Sequence, residues 1–129
     1  MGTIKDWIHG KTGLTRKPDD ETFEQMADGL CDGEQLLIFK ASPRCTASLI
    51  VEKKFDEWYN KNRTDKLKML KVNVIEQRPL SNLIAEKYKI RHESPQLIWL
   101  DHEENVIWHG SHSSITIDVL DELLADRKV

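Results

Sequence analysis

Thiol chemistry is the covalent chemistry this chain is best equipped for, and its two cysteines are unequally placed to do it. Cys45 stands in Ser42-Pro43-Arg44-Cys45-Thr46-Ala47-Ser48, just after the apolar run Leu36-Leu37-Ile38-Phe39. The run reads as a buried strand and residues 46–61 as a helix, so the thiol lies at a strand-to-helix junction. The first N–H groups of a helix have no internal partners, and with the helix dipole they favour thiolate over thiol. A thiolate is the attacking species in thiol–disulfide exchange. A buried, inert thiol is the alternative for a free cysteine, and the junction position argues against it. Arg44 places positive charge beside the sulfur, or is simply an exposed surface arginine. Ser48 either offers its hydroxyl to the thiolate or is an ordinary serine at a helix start.

Cys31 precedes the same strand. At a rise of roughly 3.3 Å per residue the strand holds its ends about 20 Å apart, whereas a disulfide needs Cα atoms within about 7 Å. No bridge between Cys31 and Cys45 is expected, and Cys31 reads as a structural or semi-exposed thiol.

The elements that must position Cys45 follow from periodicity. Asp19 and Asp20 open a helix whose Phe23, Met26, Ala27 and Leu30 keep helical spacing. Residues 34–40 read as a strand covered on both faces. In the helix after Cys45, Leu49, Ile50, Phe55, Trp58 and Tyr59 are packing candidates. Residues 67–75 alternate and are apolar on both faces, like an interior strand. Arg78-Pro79 starts a third helix with Leu80, Leu83, Ile84 and Tyr88 as its inner stripe. Residues 96–100 form a third strand, residues 101–105 a turn, and residues 106–109 a fourth strand. Ile117, Leu120, Leu123 and Leu124 line a last helix. Strands joined through a helix are expected to run parallel and the final hairpin antiparallel. The fold class is α/β, a mixed four-stranded sheet with helices on both faces, of thioredoxin-like architecture.

Pro95 opens the third strand within His92-Glu93-Ser94-Pro95-Gln96. It reads either as a turn proline or as a cis-proline that exposes the Ser94 backbone to a bound thiol substrate beside the Cys45 helix. His92 either meets a ligand carboxylate or caps the helix ending near Ile90; capping is the expectation. His102, His109 and His112 gather near the hairpin with Glu103 and Glu104, but in no zinc-ligand spacing. They read as solvent-facing, and no metal site is expected.

Composition bounds the rest. The 129 residues, 39% hydrophobic and 32% charged with a net charge of −3, suit one soluble domain. They give no basic footprint for nucleic acid. No apolar stretch approaches the roughly 20 residues of a membrane span. The first residues lack the apolar core of a signal peptide, and Asp6 breaks a myristoylation pattern, so a cytoplasmic location is expected. Residues 1–18 read as an extension of uncertain structure and residues 19–129 as the domain. Oligomeric state is not legible.

Strand, Cys45-x-x-Ser48, helix, and a proline before the terminal hairpin together resemble the thioredoxin and glutaredoxin plan. More narrowly, the chain resembles the monothiol bacilliredoxins, bacterial thioredoxin-fold proteins that work with bacillithiol. Lys40 to Ser48, His92-Glu93-Ser94-Pro95-Gln96 and Ser111-His112-Ser113-Ser114-Ile115-Thr116 carry the likeness. Thr46-Ala47 departs from the Pro-Ile usual there. The resemblance implies an oxidoreductase in which Cys45, aided by Ser48, removes bacillithiol or a similar low-molecular-weight thiol from S-thiolated client proteins. It implies a thiol-binding surface at Arg44, Thr46, Ser94 and Pro95, with the thiol as co-substrate and no tightly bound cofactor. Two other functions compete: a non-catalytic thioredoxin-fold binding module, and an iron–sulfur carrier of the monothiol glutaredoxin kind, whose Cys-Gly-Phe-Ser is not matched here.

Overall fold

The computed structural model describes residues 20–127; the expected extension over residues 1–18 and the helix-opening Asp19 lie outside them. Helix α1 (Asp20–Asp28) begins with Asp20 and Glu21, which suit the positive end of a helix, and buries Phe23 and Ala27. A turn through Gly33, at φ 83°, leads into β1 (Gln35–Ala41). Helix α2 (Thr46–Asn62) returns the chain to β2 (Leu67–Asn73), and α3 (Arg78–Tyr88) leads to β3 (Gln96–Leu100). The hairpin closes with β4 (Val106–Ser111), a single 3-10 turn at His112–Ser114, and helix α4 (Ile117–Arg127).

The sheet order is β2-β1-β3-β4. Alternation along the central strand β1 divides the core into two layers. Leu36 and Ile38 pack with Phe23, Leu80 and Ile84 under α1 and α3. Leu37 and Phe39 pack with Phe55, Trp58, Trp99 and Leu120 under α2 and α4. Phe39 and Phe55 stack at 4.8 Å between ring centroids.

The order of elements is as expected, but one strand runs the other way. β1 and β2 are parallel, whereas β3 is antiparallel to β1 although a helix joins it to β2. The register gives the reason. β2 ends with Asn73 opposite Ala41, and β3 begins with Gln96 opposite Lys40. The connection through α3 therefore returns to the end of the sheet it left, and a chain re-entering there must run backwards. It also lands on the far side of β1, so β2 is an edge strand rather than an interior one.

Local chemistry moves several boundaries. β2 stops at Asn73 because the Asn73 side-chain oxygen accepts the N–H groups of Ile75 and Glu76, turning the chain. β4 runs on to Ser111 because Gly110 and Ser111 pair with Leu97 and Gln96. On α2, the inner positions are Ser48, Val51, Phe55 and Trp58, at helical spacing. Leu49 and Ile50 fall outside that stripe and are 47% and 53% exposed, contrary to their expected packing role.

Candidate functional site

The C-terminal end of β1 and the N-terminal end of β3 meet at one end of the sheet, since Lys40 pairs with Gln96. The loop carrying Cys45 and the loop carrying Pro95 therefore leave the sheet side by side. Cys45 is half-buried and occupies the N-cap of α2 in an extended conformation, φ −111° and ψ 118°. Its carbonyl accepts the Leu49 N–H at 3.0 Å, starting the helix. Its sulfur makes no capping hydrogen bond, and no acidic residue stands in the first turn. The positive helix end is thus left to the sulfur itself.

Ser48 is fully buried and its hydroxyl oxygen accepts the Ser42 N–H at 3.0 Å. This bond reaches back across the Pro43-Arg44-Cys45 turn and fastens it. Ser48→Ala is expected to cost about 1 kcal/mol, the usual worth of such a bond, and to speed amide exchange at Ser42. Unchanged exchange there would contradict the clamp. Arg44 and Thr46 flank Cys45 and are both exposed.

In the neighbouring loop, the Ser94–Pro95 peptide is cis. Pro95 is buried, and the Ser94 hydroxyl is buried without a partner among the described residues. The loop is tied to the end of β4: the His112 N–H donates to the Pro95 carbonyl at 3.1 Å, with His112 at a left-handed φ of 53°. Ser111 donates its hydroxyl proton to the Glu93 carboxylate, and His112 Nδ1 lies 3.9 Å from the same group. The Ser111 bond, ahead of the nearby cations, holds the Glu93 carboxyl below the usual range. His112, which had no assigned role, is part of this fastening.

A second group was not foreseen. Lys40, on the face of β1 under α3, is fully buried. Its ammonium donates to the Ser81 carbonyl at 2.9 Å and lies 3.5 Å from His92 Nδ1. The Ser81 hydroxyl is 3.2 Å from the same ring nitrogen. His92 therefore turns toward β1 and the first turns of α3, and does not cap the far end of that helix. Lys89 does so in left-handed conformation, followed by Ile90 N–H on the Ala85 carbonyl. A lysine closing an apolar strand was the available signal; its partners, 41 and 52 positions away, were not.

Burial pushes the Lys40 ammonium down to about 8 from 10.5. An unfolded lysine keeps its proton up to the ordinary value, so between those limits the unfolded state binds more protons and stability rises with pH. The gain is about 2 kcal/mol from pH 8 to pH 10. Beyond pH 10 the slope reverses, because burial raises Tyr59 and Tyr88 above their usual value. Lys40→Met is expected to flatten the rise in urea denaturation at pH 7 to 10; a rise of equal size in the variant would refute it.

The fold defines a thioredoxin-like protein, with one cysteine at a helix start and a cis-proline loop at the same end of the sheet. A thioredoxin-fold protein thought to be an oxidoreductase superposes with a TM-score of 0.69 at 24% identity, over 81% of this chain and 87% of that one. Fasciola hepatica thioredoxin gives 0.63 at 14% identity, over 84% and 93%. Reduced Schistosoma mansoni thioredoxin pre-protein gives 0.64 at 15%, over 88% and 95%. The model of the monothiol bacilliredoxin family matches residues 19–120, and the chain belongs to that family.

Proposed function

We propose that this protein is a monothiol exchange enzyme that removes bacillithiol, or a similar low-molecular-weight thiol, from mixed disulfides on client proteins. The observation that carries this reading is the position of Cys45, half-exposed at an N-cap that it fills without capping. The Cys45 thiolate attacks the small-thiol sulfur of the mixed disulfide. One S–S bond forms, the other breaks, and the client leaves as a thiolate that takes a proton from water. Cys45 then carries the small thiol until a second thiol attacks it and releases the pair as a disulfide. One protein thiol suffices, and Cys31 is remote from the exchange. The cis-proline loop offers the Ser94 backbone as a pairing edge for the incoming disulfide. Arg44 and Thr46 border the sulfur, and exposed Leu49 and Ile50 give a client apolar surface on the next turn.

The test is intact mass after exposing reduced protein to oxidised bacillithiol, with peptide mapping. One bacillithiol on Cys45, removed by reduced bacillithiol, is the expected result. An accessible Cys45 that takes no adduct would sink the reading and favour a non-catalytic thioredoxin-fold module.

A further inference from the structure

Along α2, Lys54, Glu57, Trp58 and Lys61 stand at helical positions i, i+3, i+4 and i+7, and with Ile117 of α4 they line a cavity of about 290 Å³. Four positions at that spacing form the hole that receives a knob from a facing helix. Ile50 lies on the same stripe, one turn before Lys54, because residues three and four apart share a helix surface. Ile50 and Ile117 are 53% and 39% exposed, and both belong to the few exposed large hydrophobics among the described residues.

The charges on the stripe are as unpartnered as its apolar groups. Lys54, Glu57 and Lys61 are exposed, and none of their side chains has an ion pair or hydrogen bond among the described residues. On the adjoining flank of the helix, Glu52 and Asp56 are both held by Lys71.

The order Ile50, Lys54, Glu57, Lys61 selects the partner. When a second α2 lies antiparallel across the first, about a two-fold axis midway between positions 54 and 57, each Lys54 faces the partner's Glu57. The same axis sets the partner's Ile50 opposite Lys61, over the cavity that Ile117 borders. Two ion pairs and two apolar contacts arise from one operation, as an isologous interface requires. A parallel pairing would set lysine against lysine, and a uniformly acidic or basic partner would meet a like charge on the stripe.

We infer that this stripe is a self-association surface whose occupant is a second copy of the chain, held by reciprocal Lys54–Glu57 pairs with Ile50 seated over the α2–α4 cavity. The inference does not depend on the exchange reading. Its consequence for that reading is that Ile50, in the first turns beyond Cys45, serves either a client or a second copy. One helix face per chain is a small contact beside the roughly 1,200–2,000 Å² of a stable complex, so the dimer is weak.

The test is sedimentation equilibrium of the full chain under reducing conditions, which exclude disulfide-linked pairs through the exposed Cys31. The average mass of the wild type is expected to rise toward that of a dimer between about 10 µM and about 1 mM, the regime of a small interface. Lys54→Glu and Glu57→Lys each turn two facing attractions into two repulsions, and each alone should weaken association by about tenfold. An equimolar mixture of the two variants restores both pairs with the charges exchanged, and should associate as the wild type does. Ile50→Ser should weaken association without any change of charge. All three positions are exposed, so the variants are expected to fold. A wild type that stays monomeric throughout, single charge variants that associate as the wild type does, or a mixture no better than its components would overturn the inference.

Discussion

Cys45→Ser is expected to abolish release of the small thiol from client mixed disulfides, by roughly a thousandfold or more, while making the protein slightly more stable. The loss follows from chemistry: a serine hydroxyl at neutral pH does not attack a disulfide, and no second thiol lies at this end of the sheet to replace the nucleophile. Cys31 is a free, exposed thiol before β1, at the opposite end of that strand. The gain follows from the cap. Cysteine fills the N-cap of α2 without a side-chain hydrogen bond, whereas serine is among the best residues there and can accept a first-turn N–H. About 0.5–1 kcal/mol is expected. Activity with a bacillithiolated client and urea denaturation test the two halves separately. Retained turnover in Cys45→Ser, or a turnover loss in Cys31→Ser instead, would remove Cys45 from the reaction. A less stable Cys45→Ser would show that the sulfur packs in a way the cap geometry does not reveal.

Trp99→Ala is expected to lower stability by about 3–5 kcal/mol, the usual cost of emptying a large aromatic site. Trp99 is fully buried in β3, beside the central strand, and is the largest of the fully buried side chains among the described residues. It packs edge-on against Trp58 at 6.1 Å, and its indole N–H donates to the Gln35 side chain at 2.6 Å. Alanine would open a cavity between the sheet and the α2–α4 layer and leave the Gln35 oxygen without its donor. Small domains are stable by only about 5–15 kcal/mol, so the variant should unfold at much lower urea. Trp99→Phe lies between: it loses the hydrogen bond and part of the ring volume, and is expected to cost clearly less than alanine. A loss below about 2 kcal/mol for alanine would mean that the two layers collapse into the gap.

The bacilliredoxin family and the thioredoxin-like fold were both legible in the sequence, for a local reason. An apolar run, a cysteine and a helical stripe within residues 36–58 already define a thiol at a strand-to-helix junction, because periodicity and helix-end chemistry act over a few residues. That β1 is covered on both faces was legible for the same reason, as was the start of α3 at Arg78-Pro79. The cis or trans state of Ser94–Pro95 was left open by the sequence, since the peptide is held in a loop whose Pro95 carbonyl is bonded by His112, 17 positions later in the sequence.

What the tertiary structure alone decided depends on distant segments meeting. β3 runs antiparallel to β1 because the connection from β2 comes back to the same end of the sheet, which no run of residues records. Leu49 and Ile50 are exposed because Phe55 and Trp58, answering to Phe39 and Trp99, set the rotation of α2. Lys40, the last residue of the expected strand, is a buried cation because Ser81 and His92 close over it from another helix and another loop. Residue type and spacing determined where the Cys45 sulfur lies; burial and pairing across the fold decided what surrounds it, because desolvation and hydrogen bonding depend on neighbours in space rather than along the chain.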